Sequence, residues 1–584
     1  MSAPEKCALD VLVKAHVEQI YPQLPSGKIA DRLIKTMGLS DCHHPALTHR
    51  NHWSEVDIWI ISYGDSVSSN NEKPLRTLAR FLSSELEPLI NGIHILPFYP
   101  HSSDDGFSVI DYGQVDKRLG DWSDIAAIAQ NYKLMSDLVL NHCSVKNCWF
   151  ENFKQQKEPG KNYFITVPKD TDVSKVIRPR TSPLLSKVET VNGTQWVWST
   201  FSEDQVDLNY ANPDVLVEIL RIIKDYLDKG TKIIRLDAVA FLWKELGTSC
   251  MHLSQTHEVV RLIRTLVEHY SPDAIIITET NVPYHENLSY FGNANEAHGV
   301  YNFPLPPLIL HALICGTSKH LKAWQMSMPP AQTGTFYLNF IASHDGIGLR
   351  PVEDLLSEED IATLVQHIEN FGGKVSWRSD SEMNTKPYEL NIALFDAFKG
   401  CCDGIDEWQI DRFLCAHAIM LSLEGIPALY IHSMIATEND YEGLNRHKHN
   451  RAINRYKWNY EQLKHVLDDE LSHHAQVYTK MTHLLALRIK QPAFHPNAAQ
   501  YTLHVCDEVF AFWRQSKNRD QCIFCLHNVS NKTVIITLAS LNLIALNTWV
   551  DLITGDVVDD SDDTLSLAPY QFIWLTNKLF DSQI

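Results

Sequence analysis

The stretch "IIRLDAVAFLWKE", residues 233 to 245, opens as a buried strand with two isoleucines and then sets Arg235 and Asp237 where apolar side chains are expected. Side chains along a strand alternate faces, so Arg235 and Asp237 share one side while Ile234, Leu236 and Ala238 take the other. A buried charge is costly unless paired, and a buried pair rarely adds net stability. A structural salt bridge at a sheet end would account for the two charges. A catalytic carboxylate held beside its counter-ion accounts for them better, because it gives the cost a purpose.

Working outward, apolar runs of strand length recur on both sides of this stretch: 56 to 67, 92 to 100, 133 to 142, 273 to 281, 297 to 303, 335 to 345 and 426 to 431. With 231 to 239 they make eight, and a helical pattern separates the first two, which predicts an α/β chain folded as a closed (β/α)8 barrel. Two gaps, 143 to 230 and 346 to 412, exceed ordinary connections and predict inserted subdomains after strands three and seven. The barrel is then in three parts, 55 to 142, 231 to 345 and 413 to 496. Residues 1 to 54 predict a helical N-terminal extension. From 497 to 584 short alternating runs such as "EVFAFWRQ" and "QFIWLTN" predict a C-terminal all-β domain.

The bulk properties narrow the function. At 584 residues the chain exceeds one ordinary core, and its net charge of −20 disfavours nucleic acid and anionic membranes as partners. Twelve cysteines are scattered, with Cys401 and Cys402 the close pair, so reduced thiols are expected rather than a disulfide framework or a zinc site. The first 24 residues read as an amphipathic helix without the basic and apolar regions of a secretory signal, and the expected location is cytoplasmic. The apolar stretch 414 to 436 contains His417, Glu424 and Pro427 and reads as a buried helix and a strand rather than a membrane span.

In a barrel of this kind the active site lies at the C-terminal ends of the strands. The residues there are strongly polar: Asp137, Asn141 and His142 on the third strand, Arg235 and Asp237 on the fourth, Glu279 after the fifth, His344 and Asp345 after the seventh. Four motifs, "DLVLNH", "IRLDAVAF", "ITETN" and "IASHDG", stand in the order of the signature regions of the alpha-amylase superfamily of retaining glycosidases, and the chain resembles that family from about residue 55 to its end. The resemblance implies that Asp237 is the nucleophile, kept ionised by Arg235, that Glu279 is the general acid and base about 5 Å away, and that Asp345 orients the sugar. It implies that His142 and His344 hold the same ring; a satisfied core histidine is the bland alternative for each.

"HSSDDGFSVIDYGQVDKRLG" (101 to 120) resembles the sucrose phosphorylase branch of the family. The resemblance implies that Asp104 and Phe107 close the far end of a one-glucose pocket and that Arg455, in "RAINRYKW", pairs with that aspartate. In the first insertion Arg180 matches a phosphate-contacting arginine, and Phe201 and Gln205 match an acceptor-side aromatic and amide; for a loop arginine the alternative is a solvated surface charge. Tyr388 is followed by Glu389 where sucrose phosphorylases carry a glutamine, and "DGIGLRPVED" adds Arg350. These features resemble the longer glucosylglycerate phosphorylases, which release glycerate. A carboxylate-bearing acceptor wants a cation, and Arg350, Arg378 and Lys386 are the candidates.

The implied enzyme is a retaining α-glucosyl phosphorylase acting on glucosylglycerate, with sucrose or glucosylglycerol phosphorylase, or a transglucosidase, as alternatives. The expected partners are an α-glucoside and inorganic phosphate, with no cofactor and no metal, although Asn141 and Asp137 sit where amylases often anchor calcium. A homodimer is the assembly considered, without a residue pattern to argue it.

Overall fold

A computed structural model describes residues 8–41, 50–179, 182–379, 385–541, 548–558 and 563–579. The chain begins with α1 (Ala8–Ile20) and α2 (Ser26–Thr36). Leu9, Val13, Val17 and Ile20 recur at helical spacing and are buried, which seats α1 on the barrel wall. There Tyr21 donates to the Tyr210 carbonyl at 2.9 Å and His16 Nδ1 lies 2.6 Å from Glu258. Burying each such aliphatic side chain is worth about 1.5–3 kcal/mol as an upper figure, so the extension is an integral layer rather than a loose arm.

Eight parallel strands close the barrel: β1 (Trp59–Ser62), β2 (Gly92–Ile95), β3 (Lys133–Val139), β4 (Thr231–Asp237), β5 (Ile275–Thr278), β6 (Gly299–Tyr301), β7 (Phe336–Asn339) and β8 (Ile426–Tyr430). Each pairs with its neighbours in sequence, and β8 pairs with β1. Nearly every strand residue is buried, as a sheet covered on both faces requires. Glycine serves the floor of the barrel. A Cβ on Gly92 would stand 2.3 Å from the Trp59 ring and one on Gly299 2.5 Å from Phe336, so these two positions give the rings their room, and the rings meet edge to face at 5.7 Å.

The helices of the wall that matter below are α3 (Pro213–Asp228), α4 (Ser254–Tyr270), α5 (Leu305–Cys315), α6 (Lys319–Ser327), α7 (Glu358–Asn370) and α8 (Gln409–Ser422). In α3, Asn212 caps the first turn through Asp214 N–H at 3.0 Å, proline takes the first position, and Val215, Leu216, Ile219, Leu220 and Ile223 form the buried stripe. This helix is part of the barrel wall, so the first insertion is shorter than the expected 143 to 230. Likewise α8 begins inside the expected second insertion. The apolar length that hid α3 in a long gap is the same stripe that docks it.

The first insertion carries a hairpin of Leu185–Thr190 with Gly193–Trp198, and Gln205–Asp207 pairs back to His142–Ser144. The second carries α7 and a small sheet of Ile347–Gly348, Thr385–Asn391 and Lys374–Ser379. The C-terminal domain has a six-stranded sheet that includes Ala499–Cys506, Val509–Gln515, Cys522–Asn528 and Phe572–Thr576. Cys522 and Cys525 have the C-x-x-C spacing, but they lie three apart on one strand and face opposite ways. Among the described residues no helix is long and apolar enough to cross a membrane.

Candidate active site

The strand ends bring the expected carboxylates together. Arg235, on β4, is 2% exposed and stands level with Asp137 of β3 and Ile277 of β5. Its guanidinium donates to Asp137 and, at 2.8 Å, to Asp237 Oδ1, and lies 4.0 Å from Glu279 Oε2. The chain turns immediately after Asp237, with Ala238 in the left-handed region at φ 52°, and the Ala238 N–H donates to Glu279 Oε2 at 3.1 Å. One turn of backbone therefore ties the two carboxylates to each other.

Burial pushes the Asp237 carboxyl well above the usual carboxylate range; Arg235 opposes this and Glu279 adds to it. Glu279 is raised chiefly by burial too, again opposed by Arg235, and raised further by Asp345. Two buried carboxyls so placed titrate as a unit that holds on to one proton. Arg235 hydrogen-bonds Asp237 and only approaches Glu279, so its charge bears more closely on Asp237, while the Ala238 N–H supports Glu279. Asp137, although buried, is held down at about 2 by Arg235 and His94, whose Nε2 lies 2.7 Å from it. Asp345, a quarter exposed at its side chain, lies far below the usual range although burial opposes this, through Arg451 first and then His344, Arg455 and Arg235.

Around the carboxylates, the Phe107 ring stacks on His344 with centroids 5.1 Å apart, and His142 Nε2 donates to the Phe107 carbonyl at 3.0 Å. Burial lowers both histidines, His344 to about 3, so each is a neutral ring at neutral pH. Phe201 packs on His142 at 5.0 Å, and Gln205 Nε2 donates to Asp104 Oδ2 at 3.1 Å. The expected pairing of Arg455 with Asp104 is not what the structure has. Arg455 pairs with Asp105 and donates to the His344 carbonyl at 2.8 Å. Asp104 and Asp105 both sit in the left-handed region, at φ 53° and 46°, and this tight turn sends successive carboxylates to different partners.

Where the resemblance implied an acceptor side, the structure adds a residue that the sequence reading missed. Glu389, 2% exposed, receives both arms of Arg451, at 3.0 Å from Nε and 2.7 Å from Nη2, and the third nitrogen of Arg451 reaches Asp345 at 2.5 Å. The signal was present: Arg451 stands four residues before Arg455, and the two lie together at the short turn Asn450–Asn454. Of the three expected cations, Arg378 pairs with Glu353 at 2.5 Å and Lys386 is exposed. Arg350 is half-buried, with its pKa lowered by burial, and lies in the field of Glu286 and Tyr388. Among the described residues its side chain has no ion pair or hydrogen bond. Tyr388 and Glu389 share with Asp104, Phe201, Gln205 and Arg451 the lining of a cavity of about 800 Å³ over the barrel mouth. Arg180 lies outside the described residues.

Beside Asn141 the structure has a lysine. Lys244 Nζ lies 2.6 Å from Asn141 Oδ1 and 2.7 Å from Asp207 Oδ2, with its side chain 5% exposed. Asp137 serves Arg235 instead. Lys244 stands in the stretch "FLWKE" just past the catalytic motif, and only the fold brings it back to Asn141.

The model of the alpha amylase catalytic domain matches residues 87–345. The chain is 42% identical over 533 residues to the glucosylglycerate phosphorylase of Allomeiothermus silvanus, covering 91% of this chain and 93% of the relative. It is 40% identical to the glucosylglycerate phosphorylase of Escherichia coli over 96% of each. The crystal structure of sucrose 6F-phosphate phosphorylase from Thermoanaerobacter thermosaccharolyticum superposes with a TM-score of 0.72 at 22% identity, covering 88% of this chain and 98% of that one, a likeness of fold.

Proposed function

The chain belongs to the alpha-amylase family and is one of its glycosyltransferase-type phosphorylases; from that premise we propose that it converts glucosylglycerate and phosphate, reversibly and with retention, to α-glucose 1-phosphate and glycerate. Asp237 attacks the anomeric carbon as the bond to the glycerate oxygen breaks, and Glu279 gives that oxygen its proton. A phosphate oxygen then attacks the same carbon, Asp237 leaves, and Glu279 takes up the phosphate's proton. Two displacements at one carbon restore its configuration. Asp345, held ionised by Arg451, accepts hydrogen bonds from the sugar hydroxyls. Asp104, Phe107, His142, His344 and Arg455 enclose the glucose, and Arg180, from sequence alone, meets phosphate. The enzyme needs no cofactor for these steps and works in the cytoplasm, as its acidic balance and free cysteines suggest.

The observation that carries the choice of acceptor is charge. Glu389 would repel an anion, but Arg451 meets it with two hydrogen bonds. Arg350 stands as the half-buried cation beside Tyr388 without an ion pair of its own, and a glycerate carboxylate supplies one. The test is phosphorolysis of glucosylglycerate, sucrose and glucosylglycerol at equal concentration, followed by release of α-glucose 1-phosphate. Glucosylglycerate should be used much faster than the other two; comparable rates on glucosylglycerol, which lacks the carboxylate, would overturn the assignment.

A further inference from the structure

Away from the barrel mouth, three helices bring metal-binding side chains to one point. His311 on α5 places Nε2 3.1 Å from Asp360 Oδ1 on α7, and His320 on α6 places Nε2 3.4 Å from Asp360 Oδ2. All three ligand atoms lie within 4.8 Å of one another. A tetrahedral zinc with ligands at 2.0–2.1 Å has edges of about 3.3 Å, and two imidazoles bound to it have ring centroids about 5 Å apart. The two rings here are 5.1 Å apart and nearly perpendicular, at 84°.

Three further features fit a cation better than a set of hydrogen bonds. The His320 approach is longer than the usual 2.7–3.2 Å of a hydrogen bond to nitrogen. The His311 side chain is 3% exposed and turns Nε2 to Asp360, while its Nδ1 meets no protein partner among the described residues. The Asp360 carboxylate is oriented from behind by Ser357, whose N–H and hydroxyl donate to Oδ2 at 3.0 and 2.7 Å, the support that ligating carboxylates commonly have. His320 and Asp360 are about a third and a quarter exposed, so ion and solvent can enter.

We propose that His311, His320 and Asp360 form a structural site for a zinc-type divalent cation, with solvent as the fourth ligand. None of the three elements carries Asp237, Glu279 or Asp345. The helix α7 belongs to the second insertion, which also bears Arg350, Tyr388 and Glu389, whereas α5 and α6 belong to the barrel wall; the cation clamps one to the other. Sequence spacing gives no sign of it, because the ligands come from three helices spread over 50 residues.

The test is metal content of the full-length protein by mass spectrometry after exposure to zinc and gel filtration, with cobalt(II) absorption as the second readout. About one zinc per chain should be retained, His311→Ala and His320→Ala should each lose it, and chelation should lower Tm in the wild type but not in those variants. The neighbouring thiols Cys315 and Cys402, 3.6 Å apart, are the rival ligands. A Cys315→Ser, Cys402→Ser protein should therefore bind as the wild type does, and cobalt should show tetrahedral visible bands without thiolate charge transfer. Failure to retain zinc, retention in both histidine variants, or loss with the thiols overturns the proposal.

Discussion

Replacing Arg350 with alanine tests the acceptor assignment at the point where it is most exposed. The side chain has no ion pair or hydrogen bond among the described residues, and burial lowers its pKa. Removing it therefore breaks no side-chain hydrogen bond or ion pair among the described residues of the free enzyme, and the fold should lose little. In the complex, a hydrogen bond between a guanidinium and a carboxylate in a half-buried site is worth about 1.5–3 kcal/mol. At about 1.4 kcal/mol per factor of ten, that is roughly a ten- to hundredfold loss in kcat/KM for glucosylglycerate. Glucosylglycerol carries no carboxylate, so its kcat/KM should change less than about threefold on the same scale. The assay is initial-rate release of α-glucose 1-phosphate from both donors at saturating phosphate, with Tm measured on the same preparation. An equal fall on both donors would make Arg350 a general support of the site, and no fall on either would remove it from acceptor recognition; each result refutes the charge argument.

Asp237→Ala should abolish turnover, whereas Glu279→Gln should keep substantial activity on α-glucosyl fluoride, whose leaving group needs no proton; near-normal turnover by the first variant would dismiss Asp237 as nucleophile. Arg451→Met should move the acid limb of the pH–kcat/KM profile to higher pH. Arg451 is the strongest of the cations that depress Asp345, so without it that carboxylate takes up its proton sooner as pH falls; an unmoved limb would show that Asp345 does not depend on Arg451. Lys244→Met leaves Asp207 buried without its cation, a change that costs about 3–5 kcal/mol for a buried pair broken on one side. A drop of several degrees in Tm by calorimetry is expected, and an unchanged Tm would mean that Thr200 and Asn141 suffice to hold Asp207.

The barrel was legible because strands covered on both faces are continuous apolar runs, and the polar cluster at its mouth was legible because charges break those runs at their C-terminal ends. Arg235 and Asp237 could be read from seven consecutive residues of β4. What escaped the reading depends on loops. Asp104 and Asp105 are adjacent acids in one turn, and only the left-handed backbone of that turn decides which of them meets Arg455. Arg451 was passed over because an arginine in a polar loop has a ready explanation as surface charge, and nothing local shows that it points inward. The helix α3 was absorbed into an insertion because a long gap between strands carries no mark of where the excursion ends and the wall resumes.

Arg451 also explains how a carboxylate can sit at position 389 in a site proposed to bind an anion. Asp345 follows β7, Glu389 returns on the insertion strand that pairs with Gly348, and Arg451 follows β8. Three chain segments thus meet at one guanidinium, which has two nitrogens on Glu389 and one on Asp345. A neutral amide at 389 could not take a guanidinium's fork as an anionic partner, and Arg451 would then offer more of its charge to Asp345 or to the acceptor. With glutamate there, Arg451 is engaged on both sides and its burial is compensated. Among the described residues, two cations near this region have no carboxylate partner: Arg350, half-buried in the field of Tyr388, and Lys448, which lines the cavity. On the proposed reading, position 389 acts on specificity through Arg451, because a glutamate there keeps that arginine occupied at rest.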